Sequence, residues 1–575
     1  MLQKWITDLQ NRLLLDDLLR FVPELALCTG IILMLLLRLF KKFDRLHLGW
    51  VAAVATGIGL AVSIGQFMSD AELTVWRDVR GGVSGRKVTE MFTGLLVYDG
   101  LTLYLRMFLL SFTLLIIWLS ALTGIPDRED SGDFYSLLLG ATLGMSLMAS
   151  ANHLLMVFVA IEMASLPSYA LAGFLKGKRQ SSEAALKYVV YGGGASGVML
   201  YGISLIAGKF GTAYLPDLAA GYAAVLTTSG SGAGFSPDLV LVLGTMLILV
   251  GIAFKLAAVP FHFWCPDVFE GASAEVAAFL SVASKGAALA LLGRFVLTLG
   301  SLGNPYPEYD TWMRMARYLV PGLAFFAVLT ATFGNLAAYF QTNLKRLLAY
   351  STIAHAGYML MGLATFTERG LSAVLFYLVA YLFMNLGAFA VVAFLRNVTG
   401  SEDLSSYRGL VQRSPVMVIT LGFFLFSLLG LPPLAGFAAK FQIFRVLYEA
   451  AGIYRDKSDM LSYTMYALLV IGGLNTVLSV FYYVKVLKVM ILDRPLDESA
   501  GPAPAPLPVP LGSVAFASAI AILVLGIGVL WGPIVEASDR GAGGFHANMK
   551  RSATSSPEQQ GPQGGQLKGM TKGKN

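Results

Sequence analysis

Five ionisable side chains stand inside long apolar runs of this sequence. They are Glu162, Lys187, Lys255, Lys285 and Lys440. At the centre of a membrane helix such a group costs about 2.5 to 3.5 kcal/mol, so it is expected to face other helices or water rather than lipid. Burial disfavours the charged form of a lysine, and a buried lysine can therefore both hold and release a proton. The chemistry that these residues favour is proton transfer.

Two of the lysines lie beside prolines. Lys255, in LVLGTMLILVGIAFKLAAVPFHFW, is followed five residues later by Pro260, which removes a helical hydrogen bond and predicts a broken helix. Lys440 follows Pro432 and Pro433 in SLLGLPPLAGFAAKF, which again pairs a disrupted helix with a lysine. Two interrupted helices in corresponding places predict an inverted repeat.

Histidines lie close to these lysines in the sequence. His262 follows Lys255 by seven residues, so a continuous helix would place both on one face. Histidine exchanges protons near neutral pH, so the two residues together predict a relay. His355, in AYSTIAHAGYML, is predicted to link the two lysine sites across the middle of the membrane.

The carboxylate of Glu162 needs a positive partner inside a membrane. The candidate is Lys187, in EAALKYVVYGGGASG, where the glycines at 192–194 permit close approach of helices.

Each of these residues also has a structural interpretation. A buried lysine can simply pair with an acid, and a buried histidine can be satisfied by a backbone carbonyl. The joint occurrence of several such residues favours transport over this alternative.

The composition predicts a polytopic all-α membrane protein. Of the 575 residues, 56% are hydrophobic and 13% charged, and the mean hydropathy is +0.67, far outside the balance of a water-soluble domain. Windows long enough to span a bilayer predict about fourteen transmembrane helices. The predicted spans are 23–40, 48–68, 101–122, 134–150, 153–175, 184–207, 239–259, 276–299, 319–339, 347–365, 371–395, 416–441, 461–492 and 511–534.

The loop charges predict an orientation. An even number of spans places both termini on one side, and loops rich in Lys and Arg favour the cytoplasm. Basic clusters fall in loops predicted to face one compartment, which leaves both termini outside. The clusters are Lys41, Lys42 and Arg45, then Lys176, Lys178 and Arg179, then Lys345 and Arg346, then Arg396, Arg408 and Arg413. Topology thus explains the net charge of +7 without a nucleic-acid partner.

Other features carry little chemistry. The two cysteines, Cys28 and Cys265, lack the spacing of a disulfide framework or an iron–sulfur site. No signal cleavage is expected after the first apolar run. The glycines at 230, 232 and 234 follow no predicted strand, which argues against a phosphate loop. From Ser538 onward the polar composition predicts a disordered tail.

The stretch HFWCPDVFEGAS, at 262–273, resembles the N subunit of the proton-pumping NADH:quinone oxidoreductases (respiratory complex I), equivalent to mitochondrial complex I subunit 2. Departures from the family pattern are Ser273, where proline is usual, Cys265, and the long tail. Further matches are IEMASLPSYALAG at 161–173, AALKY at 184–188, LKRLLAYSTIAHAGYML at 344–360 and GLPPLAGFAAKF at 430–441.

The resemblance implies two inverted five-helix repeats with broken helices, and a charge relay at the five residues named first, with His262 in register. It implies that the chain divides into five segments. These are an N-terminal three-helix segment at 1–133, the first repeat at 134–300, the second repeat at 301–495, the last span at 496–537 and the tail at 538–575. It further implies a bacterial inner membrane, other membrane subunits as partners, and no cofactor bound by this chain. NADH and quinone are used elsewhere in the complex, and no quinone site is expected here.

The resulting hypothesis is a pumping relay. Separation of Glu162 from Lys187, driven by a neighbouring subunit, changes the proton affinity of Lys255. The proton then moves through His262 and Lys285 toward Lys440 and leaves on the outer side. The rivals are a subunit of a sodium/proton antiporter, which would use the same lysines, and a structural scaffold, which would tolerate loss of the buried charges.

Overall fold

The computed structural model describes residues 15–40, 47–73, 89–127, 130–228, 238–300, 309–494 and 506–543. Eleven helices within these ranges are long and apolar enough to cross a membrane. This confirms the polytopic all-α class, while the count of fourteen spans stays a prediction. The basic cluster at 41–45, the glycines at 230–234 and the tail after 543 lie outside the described ranges.

The first part of the chain combines helices with a short hairpin that the sequence did not predict. The strands β1 and β2 are antiparallel, with Glu90 opposite Val97, and a 3-10 turn at Phe92–Gly94 joins them. The elements are α1 (Val22–Arg38), α2 (Gly49–Leu73), β1 (Thr89–Met91), β2 (Leu96–Tyr98) and α3 (Gly100–Thr123).

The second part holds the first broken helix. A helix ends at Leu256, and the chain becomes helical again only at Trp264. The last helix of this part contains a π turn at Leu280–Ser284. The elements are α4 (Ser131–Ser150), α5 (Leu154–Ala172), α6 (Arg179–Phe210), α7 (Leu215–Thr228), α8 (Leu239–Leu256), α9 (Trp264–Gly271) and α10 (Ala274–Gly300).

The third part holds the second broken helix, between Leu429 and Ala435. A 3-10 turn at Leu404–Tyr407 precedes it. The elements are α11 (Tyr309–Ala338), α12 (Leu344–Ala364), α13 (Glu368–Thr399), α14 (Leu410–Arg413), α15 (Pro415–Leu429), α16 (Ala435–Arg455), α17 (Asp459–Ile491), α18 (Leu511–Val529) and α19 (Gly532–Ala542).

Polar side chains fix several helix starts, because the first N–H groups of a helix have no partner within it. Asp238 accepts from the N–H of Val240 at 3.1 Å at the start of α8. Ser273 caps α10 by accepting from the N–H of Val276 at 3.4 Å. The serine that departs from the family pattern therefore begins the helix as a normal cap.

The helix ends form two faces of the bundle. On the face that we call the basic face, the Lys345 ammonium donates to the carbonyl of Ala272, and Leu344 donates to the carbonyl of Glu402. The described basic loop clusters share this face. On the opposite face, which we call the hairpin face, Leu96 pairs with Ala151. Both ends of the described chain lie on the hairpin face, since Asp17 accepts from Phe92 and Ser538 contacts Tyr104 there.

The C-terminal boundary differs from the prediction. The last span ends at Val529 rather than 534, and a separate short helix, α19, follows it. Ser538, predicted to begin the disordered tail, is buried in α19, where its hydroxyl lies 3.0 Å from that of Tyr104. The neighbouring Asp539 accepts from Ser372 of α13. Residues 538–542 are helical because one side of α19 packs against α3 and α13.

A buried ion pair ties α3 to α10. The Arg294 guanidinium donates to both oxygens of Asp99, at 2.6 and 2.9 Å, and to the carbonyl of Ala149 at 3.0 Å. Asp99 also caps α3 by accepting from the N–H of Thr102 at 2.9 Å. The pair joins the N-terminal helices to the helix that carries Lys285.

Candidate functional site

Lys255 lies in the last turn of α8, just before the first helix break. The helix stops because Ala257 has a positive φ of 54° and Pro260 cannot continue the hydrogen-bond ladder. The Lys255 side chain is buried, and its Nζ atom has no hydrogen-bond partner among the described residues. Its Nζ lies 5.8 Å from the ring centroids of Tyr169 and Tyr188. Two aromatic faces thus provide the electrostatic stabilisation of this ammonium.

The break is held by Trp264, the first residue of α9. Its indole N–H donates to the carbonyl of Phe254 at 2.9 Å, which satisfies a group that the interrupted helix leaves free. The indole also stacks on the Tyr188 ring, with centroids 4.3 Å apart. The same tryptophan therefore contacts both the end of α8 and the aromatic wall beside Lys255.

The predicted common face of Lys255 and His262 is wrong, because α8 ends between them. His262 lies in the irregular segment 257–263, buried between the rings of Phe263 and Phe333, whose centroids are each 4.5 Å away. Its Nδ1 atom has no partner among the described residues. The role of His262 in a relay stays a prediction.

Lys285 directly follows the π turn of α10 and is fully buried. Its ammonium donates to the carbonyl of Thr352 on α12 at 3.1 Å. A π turn inserts one extra residue into a helix and is frequent at functional sites. Here the turn immediately precedes the lysine.

His355 lies on α12 between Thr352, which contacts Lys285, and Tyr358, which contacts Lys440, and its role as a link stays a prediction. Its Nδ1 atom is 2.7 Å from the Tyr377 hydroxyl, and its Nε2 atom is 3.4 Å from the Tyr483 hydroxyl. The Tyr483 hydroxyl is 2.5 Å from that of Ser351. Thr352, which binds Lys285, precedes His355 by three residues on α12. The histidine is thus surrounded by hydroxyl groups that can donate or accept a proton.

Lys440 lies beside the second helix break. Its ammonium donates to the carbonyl of Leu429, the last residue of α15, at 2.9 Å. It also lies 4.7 Å from the ring centroid of Tyr358, three residues after His355 on α12. Among the described residues, no carboxylate oxygen comes within 4.0 Å of Lys440, Lys285 or Lys255.

The predicted ion pair of Glu162 and Lys187 is not formed in this structure. Lys187 instead pairs with Asp267 of α9 at 2.6 Å and with Glu183 at 2.9 Å. Glu162 is partly exposed on α5 and accepts a hydrogen bond from Ser196 of α6. Gly192 does provide the predicted close approach, since a Cβ there would overlap the Tyr169 hydroxyl, whereas glycines 193 and 194 have open space around them.

Sequence reasoning missed a charged cluster on the basic face. Asp267 accepts from Lys187 and from Arg346, both at 2.6 Å, and Arg346 also binds Glu270 at 2.8 Å. With Glu183, these residues line a cavity of about 190 Å³. Asp267 and Glu270 were visible three residues apart in HFWCPDVFEGAS, the spacing that puts both on one helix face. Within the described ranges, no group of three or more His, Cys, Asp or Glu side chains is placed to hold a metal ion.

A glycine substitution tests the packing of the second break. A Cβ at Gly436, in the first turn of α16, would overlap the backbone carbonyl of Ser427 and push the two half-helices apart. We expect Gly436→Ala to lower the melting temperature of the assembled complex, at a cost of about 1 to 3 kcal/mol, as for overpacking elsewhere. Gly452→Ala is the matched control on the same helix, where a Cβ meets nothing within 4 Å. Equal stability of the two variants would contradict this account of the break.

Together, the fold and the site define a class: a helical membrane protein with two broken helices and a row of buried ionisable groups between them. At the first break the preceding helix, α8, starts on the hairpin face, whereas at the second break the preceding helix, α15, starts on the basic face. Opposite directions of this kind are what an inverted repeat requires.

The chain is similar to known proteins. Residues 151–454 match the family model described as "NADH:quinone oxidoreductase/Mrp antiporter, TM". The chain is 39% identical over 496 residues to NADH-quinone oxidoreductase subunit N of an Anaeromyxobacter species, covering 85% of this chain and 91% of the relative. It is 42% identical over 411 residues to subunit N 2 of Sorangium cellulosum, covering 70% and 77%. The chain belongs to the N-subunit family of NADH:quinone oxidoreductases.

Solved structures agree with this assignment. A chain of respiratory complex I from Thermus thermophilus with bound aureothin is similar at a TM-score of 0.66 and 29% identity, covering 91% of this chain and all of that one. A chain of the Mrp complex from a Dietzia species is similar at a TM-score of 0.71 but only 20% identity, covering 94% of this chain and 98% of that one. The second likeness concerns the fold alone.

Proposed function

We propose that this chain translocates protons within an NADH:quinone oxidoreductase along the row Lys255, Lys285, His355 and Lys440. The observation that supports this most directly is that the three lysines are buried without a carboxylate partner among the described residues. A lysine retained only for stability is normally paired when buried, because an unpaired ammonium is costly. These lysines contact aromatic rings and backbone carbonyls instead, which accept no proton and leave the ammonium free to lose one.

We assign the basic face to the cytoplasm, because loops rich in Lys and Arg remain there. The hairpin face, with both ends of the described chain, then faces the outer side of a bacterial inner membrane. Protons would enter near Lys187 and Asp267, where the charged cavity opens on the basic face. They would leave beyond Lys440, since α16 runs from the second break toward the hairpin face.

Glu162 and Lys187 provide the link to a neighbouring subunit in this proposal. Glu162 is partly exposed on α5, where its carboxylate accepts a hydrogen bond from Ser196 of α6. Lys187 is bound to Asp267 rather than to Glu162, as a separated state of the predicted pair would require. A subunit packed over Glu162 could drive the change between the two states.

We assign NADH and quinone chemistry to other subunits, and the partners of this chain to the remaining membrane subunits and lipid. Exposed apolar residues on α6, such as Leu186, Val190 and Tyr201, fit contact with a neighbouring helix or with lipid hydrocarbon. The sodium/proton antiporter alternative has weaker support, because the likeness to the Mrp chain concerns only the fold.

Lys285→Met tests this function. We expect NADH-driven acidification and quinone reduction in membrane vesicles to fall about tenfold or more, because a positioned proton carrier is lost. A native gel confirms that the complex assembles. Lys485→Met is the control, because Lys485 donates to the carbonyls of Tyr339 and Gln341 at the basic-face end of α17, away from the row. Normal pumping by the Lys285 variant would refute the proposed route.

A further inference from the structure

We propose that Asp267 is a second, alternating partner of Lys187, and that the half-helix α9 transmits the position of Lys187 to Lys255. This inference rests on the proposed proton translocation. It assigns a positioning role to Asp267, which the sequence reasoning did not consider, and to Trp264 on the same half-helix.

The contacts of Asp267 allow Lys187 to leave at low cost. One carboxylate oxygen accepts from Lys187 at 2.6 Å, and the other accepts from Arg346 at 2.6 Å. When the lysine departs, the carboxylate therefore keeps the guanidinium and is not left unpaired, which avoids the main penalty of breaking a partly buried ion pair. The cavity of about 190 Å³ around these side chains leaves room for water to replace the ammonium.

Lys187 cannot hold both acids at once. Glu162 accepts from Ser196, which lies nine residues after Lys187 on the same helix. Nine residues correspond to about 13.5 Å along a helix axis, more than the length of one lysine side chain. In this structure the Glu162 carboxylate is therefore out of reach of Lys187, which is paired with Asp267. Pairing with Glu162 would require Lys187 to leave Asp267 and the Glu162 side chain to turn away from Ser196 toward it.

A short chain of side-chain contacts connects the ion pair of Lys187 to Lys255. Tyr188, next to Lys187, stacks on Trp264 of α9, and its ring also lies 5.8 Å from the Lys255 Nζ atom. The Trp264 indole donates to the carbonyl of Phe254, the residue before Lys255. Asp267 and Trp264 are both on the eight-residue helix α9. A shift of Lys187 toward or away from α9 thus acts on the aromatic wall of Lys255 and on the backbone beside it.

The test compares Asp267→Asn, Asp267→Glu, Lys187→Met and the double variant Asp267→Asn/Lys187→Met in the assembled complex. NADH-driven quinone reduction and acidification in vesicles are the readouts. We expect Asp267→Asn to lower both about tenfold, Asp267→Glu to restore them to within about twofold, and the double variant to be no worse than the lower single variant, because coupled residues are not additive. Normal activity of Asp267→Asn, or independent multiplication of the two single effects, would overturn the inference.

Controls separate the possible failures. Glu449→Gln removes a carboxylate from an exposed ion-pair group on the hairpin face and should leave turnover unchanged. If Asp267→Asn fails to assemble, pumping by Trp264→Phe is measured instead. This variant keeps an aromatic ring against Tyr188 but loses the N–H group that donates to the carbonyl of Phe254. Reduced pumping then supports the inference and normal pumping refutes it. Normal pumping by Lys285→Met would instead refute the proposed function itself.

Discussion

Lys255→Met is expected to abolish both NADH-driven quinone reduction and acidification in vesicles that carry the assembled complex. Lys255 is the proposed proton carrier at the first helix break, and methionine fills a similar volume without a titratable group. Positioned acid–base groups contribute typically about 100- to 10,000-fold to a rate, so we expect a loss of at least about 100-fold. The effect should exceed that of Lys285→Met, because in the proposed relay Lys255 is the carrier next to the rings of Tyr169 and Tyr188 and receives the effect of Lys187.

The control for Lys255 is a lysine of the same charge outside the bundle. Lys176→Met removes an exposed side chain that pairs with Asp130 at 2.7 Å on the basic face, and it should leave both activities intact. Native gels must show equal assembly of the two variants. If the Lys255 variant assembles and still pumps, Lys255 is structural and the site assignment fails.

Asp99→Asn should produce the largest loss of stability. The substitution leaves the Arg294 guanidinium buried without its carboxylate, and such uncompensated charges typically cost about 3 to 5 kcal/mol. We expect a marked fall in the melting temperature of the purified complex or a failure to assemble. The buried location of the pair, beside the carbonyl of Ala149, prevents water from replacing the lost oxygen atom.

The double variant Asp99→Leu/Arg294→Met separates the charge from the packing. Because apolar replacement of a buried ion pair is often neutral, most of the stability should return. A deficit of about 1 kcal/mol should remain, since Asp99 also caps α3 through the N–H of Thr102. If the double variant is as unstable as Asp99→Asn, the uncompensated charge of Arg294 is not the cause of the loss of stability.

Much of the architecture was readable from local features of the sequence. Long apolar windows predict spanning helices because the bilayer leaves the backbone no other way to satisfy its hydrogen bonds. Pro260 and the pair Pro432–Pro433 predicted the two breaks for a related reason, since proline cannot donate within a helix. Lys255, Lys285 and Lys440 stood out because each was charged within such a window.

Features that depend on tertiary contacts were not readable. Whether Lys187 forms its ion pair with Asp267 or with Glu162 depends on where α9 lies after the break. No rule of sequence spacing determines that position. The common face of Lys255 and His262 assumed a continuous helix, and the break removed that condition. The hairpin strands are short and α19 is polar, so their sequences carry no clear pattern. Both form because of the elements that they pack against.

The π turn at Leu280–Ser284 has a consequence for how relatives are aligned. The turn amounts to one inserted residue, so the two halves of α10 follow different helical registers. Deleting one residue there would turn everything before the deletion by about 100° relative to everything after it. Lys285 and the capped start of α10 at Ser273 could not then both keep their neighbours. Gap placement in this short segment therefore decides which residue of a homologous chain is compared with Lys285.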